Sequence, residues 1–452
     1  MDSAPATSTL ESPDLTWFNN AKFGIFIHWG IYSVNGKDAS WSYFNHGQPW
    51  ARPEHHSSPE EYFAQCERFT AAAYDPDAWA DTFRRAGARY VVITTKHCDD
   101  FALWATQQKG GRNVVDHTPA NRDLIAPYCA ALRRAGIKVG LYYSHSGWGH
   151  PDYPSLYKDP AQRGDPKLSR YAFPQNGDAE DPAAWTRYLA YQRGQIQELC
   201  EQFQPDLLWF DADWERTPEQ WGAAELVALI RQWCPHVVLN NRTCHLGDYF
   251  TPEQGLPTRI PEGPWELCLT MDRQWGYTEF ENDYKSSRQL LWFLIHTAAK
   301  GGNLLLNVGP RADGSLPEVQ TERLRDIGAW LDRHGAALFG TTPGLPDGLF
   351  EGASTLSPDR QTLYLITSAG GADSLAVQGI HAPVTRVEHL ATGVTVPHRF
   401  IAGAEWANVP GVLWINLPAE LRDPLFSVLR VHLAKPLEIY HGSGQVLSQA
   451  GG

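Results

Sequence analysis

The segment Leu207–Glu215, with the sequence LLWFDADWE, combines residue types that can carry acid–base or nucleophilic chemistry. Its apolar start leads into Phe210 and Asp211, so an aspartate stands where a buried strand is expected to end. Such a strand, ending in acids and tryptophans, is typical of a barrel strand that opens into a sugar-sized pocket. The pattern favours Asp211 as a catalytic nucleophile. The alternative is that Asp211 only ends the strand or caps the next helix.

Polar side chains recur at the expected ends of five strands. They are His28; Lys96, His97, Cys98, Asp99 and Asp100; Tyr143, Ser144 and His145; Asp211; and Asn241 and Arg242. In a barrel of parallel strands these ends share one mouth, where such enzymes place their chemistry. A single histidine at a strand end is more often structural, but several polar groups at one rim favour a functional site.

The elements that position these residues repeat along the chain. Helices are predicted over Asp75–Gly87 and Leu124–Gly136, and each is followed by a short loop and an apolar strand, at Arg89–Thr95 and Lys138–Tyr143. The two junctions, FRRAGARYVV and LRRAGIKVGL, are similar in sequence. This repetition of helix, glycine, loop and strand indicates a parallel sheet wound with helices.

About eight such units precede Gly340. Further strands are predicted at Phe23–His28, Asp206–Asp211, His236–Asn240, Trp265–Thr270 and Asn303–Val308, with helices at Asp181–Phe203, Lys285–Lys300 and Val319–His334. The fold class expected is α/β, with a (β/α)8-like TIM barrel over residues 15–340. Residues 341–452 alternate short apolar runs with turn residues and predict a C-terminal antiparallel β-sandwich. Residues 1–14 are predicted to be disordered.

Composition narrows the class of ligand. The 452 residues include 38 basic and 51 acidic side chains, a formal net charge of −13, which argues against nucleic acid or an anionic membrane as partner. Seven cysteines without metal or redox spacing, and no visible secretion signal, predict a cytoplasmic protein, with a secreted protein as the alternative if a signal has been removed. No cofactor is expected, and the oligomeric state is left open.

Eight motifs occur in order between about Trp17 and Gly340. They are FGIFIHWG, VVITTKHCDDFALW, GLYYS, LLWFDADW, GDYFTPE, WELC, WGY and GGNLLLNVGPRADG. In these motifs the chain resembles the α-L-fucosidases of glycoside hydrolase family 29. The resemblance implies exo-acting hydrolysis of terminal α-L-fucosyl residues from oligosaccharides or glycosides, with retention of configuration through a covalent fucosyl-enzyme.

The resemblance also implies that Asp211 attacks the anomeric carbon, and this chemistry requires a second carboxyl group as acid/base. Glu253 and Glu266 are the candidates. The run Thr-Pro-Glu-Gln around Glu253 is also a helix-start pattern, but Gly255 and Pro257 follow and make a stable helix there unfavourable. Glu253 on a loop is therefore preferred, and Glu266, inside an apolar strand, is the second choice.

Contacts with the sugar are carried over from the family position by position. The expected substrate-binding residues are His28, His97 and Tyr143 as hydrogen-bonding groups, Trp41 as hydroxyl contact and apolar wall, Trp209 and Tyr277 against the C6 methyl, and Arg242 near the nucleophile. No metal ligand is assigned.

The chain departs from the family pattern at three positions. Cys98 stands where a second adjacent histidine is usual, Ser40 where a glutamate often precedes Trp41, and Asp100 where glycine is usual. The first two changes remove hydroxyl partners from the expected pocket and predict altered affinity or substrate preference. His55 or His56 is a candidate replacement.

Two other classes of protein remain as alternatives. In a metal-dependent barrel hydrolase His28, His97 and Asp211 would be ligands, but such sites usually have a paired His-x-His or a closer carboxylate cluster. A non-catalytic fucose-binding protein of the same fold has no need for the pair Asp211 and Glu253.

Overall fold

The computed structural model describes residues 13–37, 39–44, 57–153, 181–280, 283–368, 374–404, 406 and 408–442. Residues 1–12 of the predicted disordered segment, and His55 and His56, lie outside these ranges. The chain divides into two compact units. The first takes the residues up to Trp17, Phe23–Lys285 and Leu305–Arg325, and the second takes Phe18–Lys22, Ser286–Leu304 and the residues from Asp326 onward.

A curled, mainly parallel sheet carries the predicted strand ends. Its strands are β1 (Phe23–Ile27), β2 (Tyr90–Lys96), β3 (Phe101–Ala102), β4 (Arg112–Asn113), β5 (Lys138–Ser144), β6 (Leu207–Asp211), β7 (Val238–Leu239), β8 (Glu266–Leu269) and β9 (Asn303–Val308). The order is β7-β6-β5-β2-β1-β9-β8, and β3 and β4 extend β2 at one side. The pairs β1–β2, β2–β5, β5–β6 and β6–β7 are parallel, and β2 pairs with β3 in the antiparallel direction.

Continuous apolar runs explain why these strands are central. All residues of β1, β2, β6 and β9 are buried, as expected for strands of a parallel sheet that is covered on both faces. The predicted polar residues follow the last apolar position of each run, so the hydrophobic pattern fixes where each polar side chain emerges.

The first helix precedes β1, the last follows β9, and the others lie between strands of this sheet in sequence. The helices are α1 (Thr16–Ala21), α2 (Trp41–Phe44), α3 (Pro59–Phe63), α4 (Pro76–Arg85), α5 (Val114–His117), α6 (Ile125–Arg134), α7 (Pro182–Phe203), α8 (Pro218–Trp221), α9 (Ala223–Trp233), α10 (Ser287–Ala299) and α11 (Glu318–His334). In the described part of the chain, none of them is both long and apolar enough to cross a bilayer.

Both predicted helix–glycine–strand junctions are present. The Asp75 carboxylate accepts hydrogen bonds from the first amides of α4. Gly87 and Gly136 end α4 and α6 in the left-handed region, with φ of 88° and 71°, a conformation that glycine adopts without steric cost. Each strand, β2 from Tyr90 and β5 from Lys138, therefore begins shortly after the glycine that ends its helix.

The second unit contains two antiparallel sheets. Their strands are β10 (Thr342–Pro343), β11 (Ala353–Leu356), β12 (Thr362–Ser368), β13 (Ser374–Val377), β14 (Val384–His389), β15 (His398–Ile401), β16 (Val412–Asn416) and β17 (Phe426–Leu433). One sheet has the order β10-β11-β12-β17-β14 and the other β13-β16-β15. Side chains of both sheets, including Leu365, Val387, Leu413, Ile415 and Leu429, share one apolar cluster.

Candidate active site

A cavity of about 550 Å³ opens where the parallel strands end. This volume is within the range of small-molecule sites. Its lining residues are Phe26, His28, Trp41, His97, Tyr142, Trp209, Asp211, Trp214, Arg242, Glu253, Gln254, Cys268, Thr270, Asp272, Arg273, Gln274, Trp275 and Lys285. Of the strand-end residues selected from the sequence, His28, His97, Asp211 and Arg242 therefore meet at one site.

Asp211 is the last residue of β6 and is held at both carboxylate oxygens. Its Oδ2 accepts a hydrogen bond from the Tyr142 hydroxyl at 2.9 Å, and its Oδ1 accepts one from the Arg242 guanidinium at 2.7 Å. The next residue, Ala212, has a φ of 64°, so the chain turns sharply after the carboxylate. The backbone amide of His145 donates to the Asp211 carbonyl at 2.8 Å and fixes this turn.

The Arg242 guanidinium joins the two proposed catalytic carboxylates. One terminal nitrogen lies 2.7 Å from Asp211 Oδ1 and the other 2.7 Å from Glu253 Oε2. Burial alone would lower the pKa of Arg242, but the two neighbouring carboxylates outweigh burial and raise this pKa well above its ordinary value. The guanidinium also lies over the Trp209 ring at 4.7 Å. A permanent cation thus fixes both acids in one arrangement.

The two candidate acid/base residues occupy different environments. Glu253 lines the cavity, has 38% of its side chain exposed and is fixed through a backbone bridge to Cys268. Glu266 is fully buried outside the cavity lining, where it accepts hydrogen bonds from Tyr90 and from Trp209 Nε1. Burial raises the pKa of Glu266 to about 7. Of the two glutamates, only Glu253 is in contact with the cavity.

Two histidines form the wall beside Asp211. The Nδ1 atom of His28 lies 2.7 Å from Asn307 Oδ1, and Nδ1 of His97 lies 2.6 Å from Ser40 Oγ. These contacts fix the orientation of both rings. Burial lowers the pKa of His28 to about 4, so this imidazole is neutral at physiological pH and acts as a hydrogen-bonding group. Trp41 packs edge-on against His97, with ring centroids 5.3 Å apart.

Tyr143 was predicted to contact the sugar, but the structure places Tyr142 at the cavity instead. The Tyr143 hydroxyl donates to Gln195 on α7 at 2.9 Å, on the other face of the sheet. Tyr142 stacks on both His97 and Trp209, with centroids 5.6 Å apart in each pair. Successive strand residues point to opposite faces, so a one-residue error exchanges the two tyrosines.

Replacing Tyr142 with phenylalanine removes one of the two hydrogen bonds to Asp211. We expect kcat/KM to fall about tenfold, the size of one hydrogen bond to a charged group. Tyr143→Phe is the matched control, since it removes a buried hydroxyl on the opposite face and should leave kcat/KM unchanged while lowering the melting temperature. Equal effects of the two variants on kcat/KM would contradict the assignment of Tyr142.

Tyr277 is the second predicted sugar contact that the structure does not bring to the cavity. The Arg311 guanidinium lies 5.3 Å from its ring centre. Trp275, two residues earlier in the same WGY motif, lines the cavity with its ring 4.9 Å from that of His28. Trp214 also lines it and is half exposed. The aromatic motif was a useful signal, but it did not indicate which ring faces inward.

The three residues that depart from the family pattern are all buried and lie in defined surroundings. Ser40 anchors His97 and is fully buried. Asp100 has a φ of 66°, a conformation that glycine adopts more easily, and its carboxylate lies 3.2 Å from the buried ammonium of Lys96. Cys98 is not among the residues that line the cavity, and its Sγ lies 3.2 Å from Ser144 Oγ.

Because Cys98 does not line the cavity, we do not expect Cys98→His to tighten fucose binding. The thiol is almost completely buried, with 2% exposure, so an imidazole must displace close-packed neighbours. We expect a loss of about 1–3 kcal/mol of unfolding free energy, with an unchanged inhibition constant for fucose in the folded fraction. Denaturant titration and competitive inhibition by fucose measure the two quantities. A lower inhibition constant would show that position 98 reaches the sugar.

A metal centre requires several histidine, cysteine or carboxylate side chains close together in the described residue ranges. In these ranges no group of three or more histidine, cysteine, aspartate and glutamate side chains is arranged to hold a metal ion. The groups around the cavity are instead suited to nucleophilic and acid–base chemistry on a polar, uncharged ligand.

The sequence is similar to those of known alpha-L-fucosidases. The family model "Alpha-L-fucosidase" matches residues 3–336. Tissue alpha-L-fucosidase of Bos taurus is 33% identical over 361 residues, covering 75% of this chain and 72% of the relative, and plasma alpha-L-fucosidase of Homo sapiens is 30% identical over 358 residues, with the same coverage of both chains.

Solved structures agree with the sequence comparison. Alpha-L-fucosidase isoenzyme 1 from Paenibacillus thiaminolyticus has a TM-score of 0.77 at 33% identity, covering 93% of this chain and 98% of the other. The Thermotoga maritima alpha-fucosidase in complex with fucose has a TM-score of 0.73 at 30% identity, with coverage of 93% and 97%. This chain belongs to the alpha-L-fucosidase family.

Proposed function

We propose that this protein is a retaining α-L-fucosidase that removes terminal α-L-fucosyl residues from oligosaccharides or glycosides. The observation that carries the proposal is the Arg242 guanidinium, which holds Asp211 and Glu253 together at one cavity. In retaining glycosidases the two carboxyl groups lie roughly 5–5.5 Å apart, with no room for a water molecule between them. One planar guanidinium that contacts both carboxylates supports that short separation.

In the first step Asp211 acts as nucleophile and Glu253 as acid. An Asp211 carboxylate oxygen forms a bond to the anomeric carbon, and the bond from that carbon to the leaving oxygen breaks. Protonated Glu253 transfers its proton to the leaving oxygen, so the alcohol departs neutral and Glu253 becomes a carboxylate. The Tyr142 hydrogen bond orients Asp211 for this attack.

Arg242 is suited to stabilise both charge states of the pair. Before attack the ionised Asp211 is its carboxylate partner, and after ester formation the charge has moved to Glu253, which the same guanidinium contacts. Glu253 then removes a proton from water, the water oxygen attacks the anomeric carbon, and Asp211 is released. Two inversions at one carbon give net retention.

The walls of the cavity fit a deoxy sugar. The neutral His28 and the anchored His97 are suited to bind hydroxyl groups, while Trp41, Trp209 and Trp275 supply aromatic surface for the C6 methyl and the sugar face. Tyr142 takes the role predicted for Tyr143, and Trp275 that predicted for Tyr277.

The parallel sheet supports a closed (β/α)8-like barrel over residues 15–340. Isolated parallel bridges join Asn240 to Tyr249, Phe250 to Trp265 and Glu253 to Cys268, so the segment between β7 and β8 links the two edge strands. The apolar cluster that is shared by both antiparallel sheets supports a β-sandwich over residues 341–452. Seven cysteines without disulfides support a reducing compartment such as the cytoplasm.

Turnover of nitrophenyl α-L-fucoside tests the proposal directly. Nuclear magnetic resonance at early times should show the α anomer of fucose as first product, and activity should survive EDTA. Release of the β anomer would exclude the retaining mechanism. Binding of fucose without any turnover would favour a non-catalytic sugar-binding protein, and loss of activity in EDTA a metal-dependent one.

A further inference from the structure

A second cavity of about 650 Å³ adjoins the first one. It shares three lining residues with the first, Trp214, Arg242 and Glu253, and it extends from them to Phe250 and Pro261. Asp211, His28 and His97 are not part of its lining. The two cavities therefore meet at the proposed acid/base and differ in that only the first contains the nucleophile.

The proposed chemistry determines what can occupy the space beyond Glu253. The acid must contact the glycosidic oxygen, and the leaving group is bonded to that oxygen. The fucosyl ring occupies the side of Glu253 where Asp211 lies. Atoms of the leaving group must then extend to a side of Glu253 that is away from Asp211, and the second cavity begins at that point.

Exposed aromatic side chains cluster at this cavity. Among the described residues of the first unit, the exposed large apolar side chains are Trp214, Leu246 and Phe250, with 50%, 45% and 41% of their surface accessible. Trp214 and Phe250 line the second cavity. Exposed apolar surface that is concentrated at one place, beside a catalytic cavity, indicates a binding surface.

The charges around the second cavity balance. Its lining has two carboxylates, Asp213 and Glu253, and two guanidinium groups, Arg216 and Arg242. A surface without net charge, with two aromatic faces among polar groups, suits a neutral ligand that has hydroxyl groups and an apolar face. Pyranose rings have these properties.

We propose that the second cavity is the leaving-group site for a neutral saccharide, with Phe250 and Trp214 as stacking surfaces that select oligosaccharide substrates. This inference rests on the proposed fucosidase activity and deepens it by naming the class of leaving group. Phe250 contributes to leaving-group binding alone, because it lines the second cavity and not the first.

The test compares two substrates that differ only beyond the scissile bond. α-L-Fucosyl fluoride has a single fluorine atom as leaving group and cannot fill the second cavity. The partner substrate is the neutral fucosyl trisaccharide that the wild type cleaves fastest in a panel of α1,2-, α1,3-, α1,4- and α1,6-linked compounds. In Phe250→Ala, kcat/KM for the trisaccharide should fall about tenfold, the loss expected for one aromatic stacking contact. For the fluoride it should stay within twofold of wild type.

Two variants complete the design. Phe250→Tyr keeps the ring and should retain trisaccharide activity. Phe400→Ala removes a phenylalanine of similar exposure, 44%, from β15 in the second unit and should change neither substrate. Turnover of the fluoride by each variant shows that its active site is folded.

The possible outcomes distinguish a failure of the leaving-group assignment from a failure of the proposed fucosidase activity. If the wild type hydrolyses the fluoride but none of the trisaccharides, or if Phe250→Ala affects both substrates equally or neither, the leaving-group assignment is overturned while the proposed activity stands. If the wild type does not hydrolyse the fluoride, the fucosidase proposal itself fails and the inference fails with it.

Discussion

Asp211→Ala is expected to lower kcat for nitrophenyl α-L-fucoside by about 10⁴-fold or more, as is found when a catalytic nucleophile is removed. Its carboxylate is the proposed nucleophile, and it lies at the end of β6 between Tyr142 and Arg242. A good leaving group does not compensate, because the missing bond is to the carbon and not to the leaving oxygen.

The same variant should remain folded. Arg242 keeps its ion pair with Glu253 at 2.7 Å, so the substitution does not leave a buried cation without a counter-ion. We expect the melting temperature to change by only a few degrees. Asp206→Ala is the control, because Asp206 precedes the same strand, pairs with Lys138 on the surface at 2.7 Å, and should affect stability more than turnover. Unfolding of Asp211→Ala would mean that Asp211 serves mainly to end the strand.

The strand ends could be predicted because the hydrophobic pattern is local. Apolar runs in β1, β2, β6 and β9 are continuous, and each stops at a polar residue. His28, His97 and Asp211 come at or shortly after such stops, and Arg242 comes shortly after β7. Parallel strands place their carboxyl ends on one side, so these residues were expected to lie together. All four line the cavity.

The direction of individual side chains was harder to predict. Tyr142 and Tyr143 are adjacent aromatic residues in a strand that is buried on both faces, so the hydrophobic pattern does not distinguish the two faces. The two faces are distinguished by the pairing of Tyr142 with Trp209 in the neighbouring strand, because side-by-side residues of parallel strands share a face. Trp275 and Tyr277 lie in a loop, where no strand periodicity applies.

The pairing of strands in the two sheets of the second unit could not be predicted from the sequence. Short alternating runs indicated antiparallel strands, yet β12 pairs with β17, so Thr362 lies opposite His432. Strand β13 pairs with β16 and not with the adjacent β14. Such contacts between residues far apart in sequence depend on the packing of the whole core, including Leu365 and Leu413, and no local pattern specifies them.

Glu253→Ala is expected to retain the first step for substrates with a good leaving group and to lose the second. A nitrophenolate departs without protonation, so Asp211 can still form the fucosyl-enzyme. Hydrolysis then stalls, because no carboxylate removes a proton from the attacking water. A burst of nitrophenolate, followed by a slow steady state, is the expected time course.

Azide should then restore turnover in this variant. The azide ion is already a nucleophile and needs no base, and the removed side chain was 38% exposed, so the space that it leaves is open to solvent. Attack on the face opposite Asp211 gives fucosyl azide of the α configuration, which nuclear magnetic resonance identifies.

The matched variants are Glu266→Ala and Glu266→Gln, in the buried site where Glu266 accepts a hydrogen bond from Trp209. Neither removes a group that touches the cavity, so we expect a general loss of activity or stability in Glu266→Ala, a smaller loss in Glu266→Gln, and no azide rescue in either. Rescue of Glu266→Ala, and not of Glu253→Ala, would reverse the assignment of the acid/base. Azide product of the β configuration from Glu253→Ala would show direct displacement at the anomeric carbon and exclude the covalent intermediate.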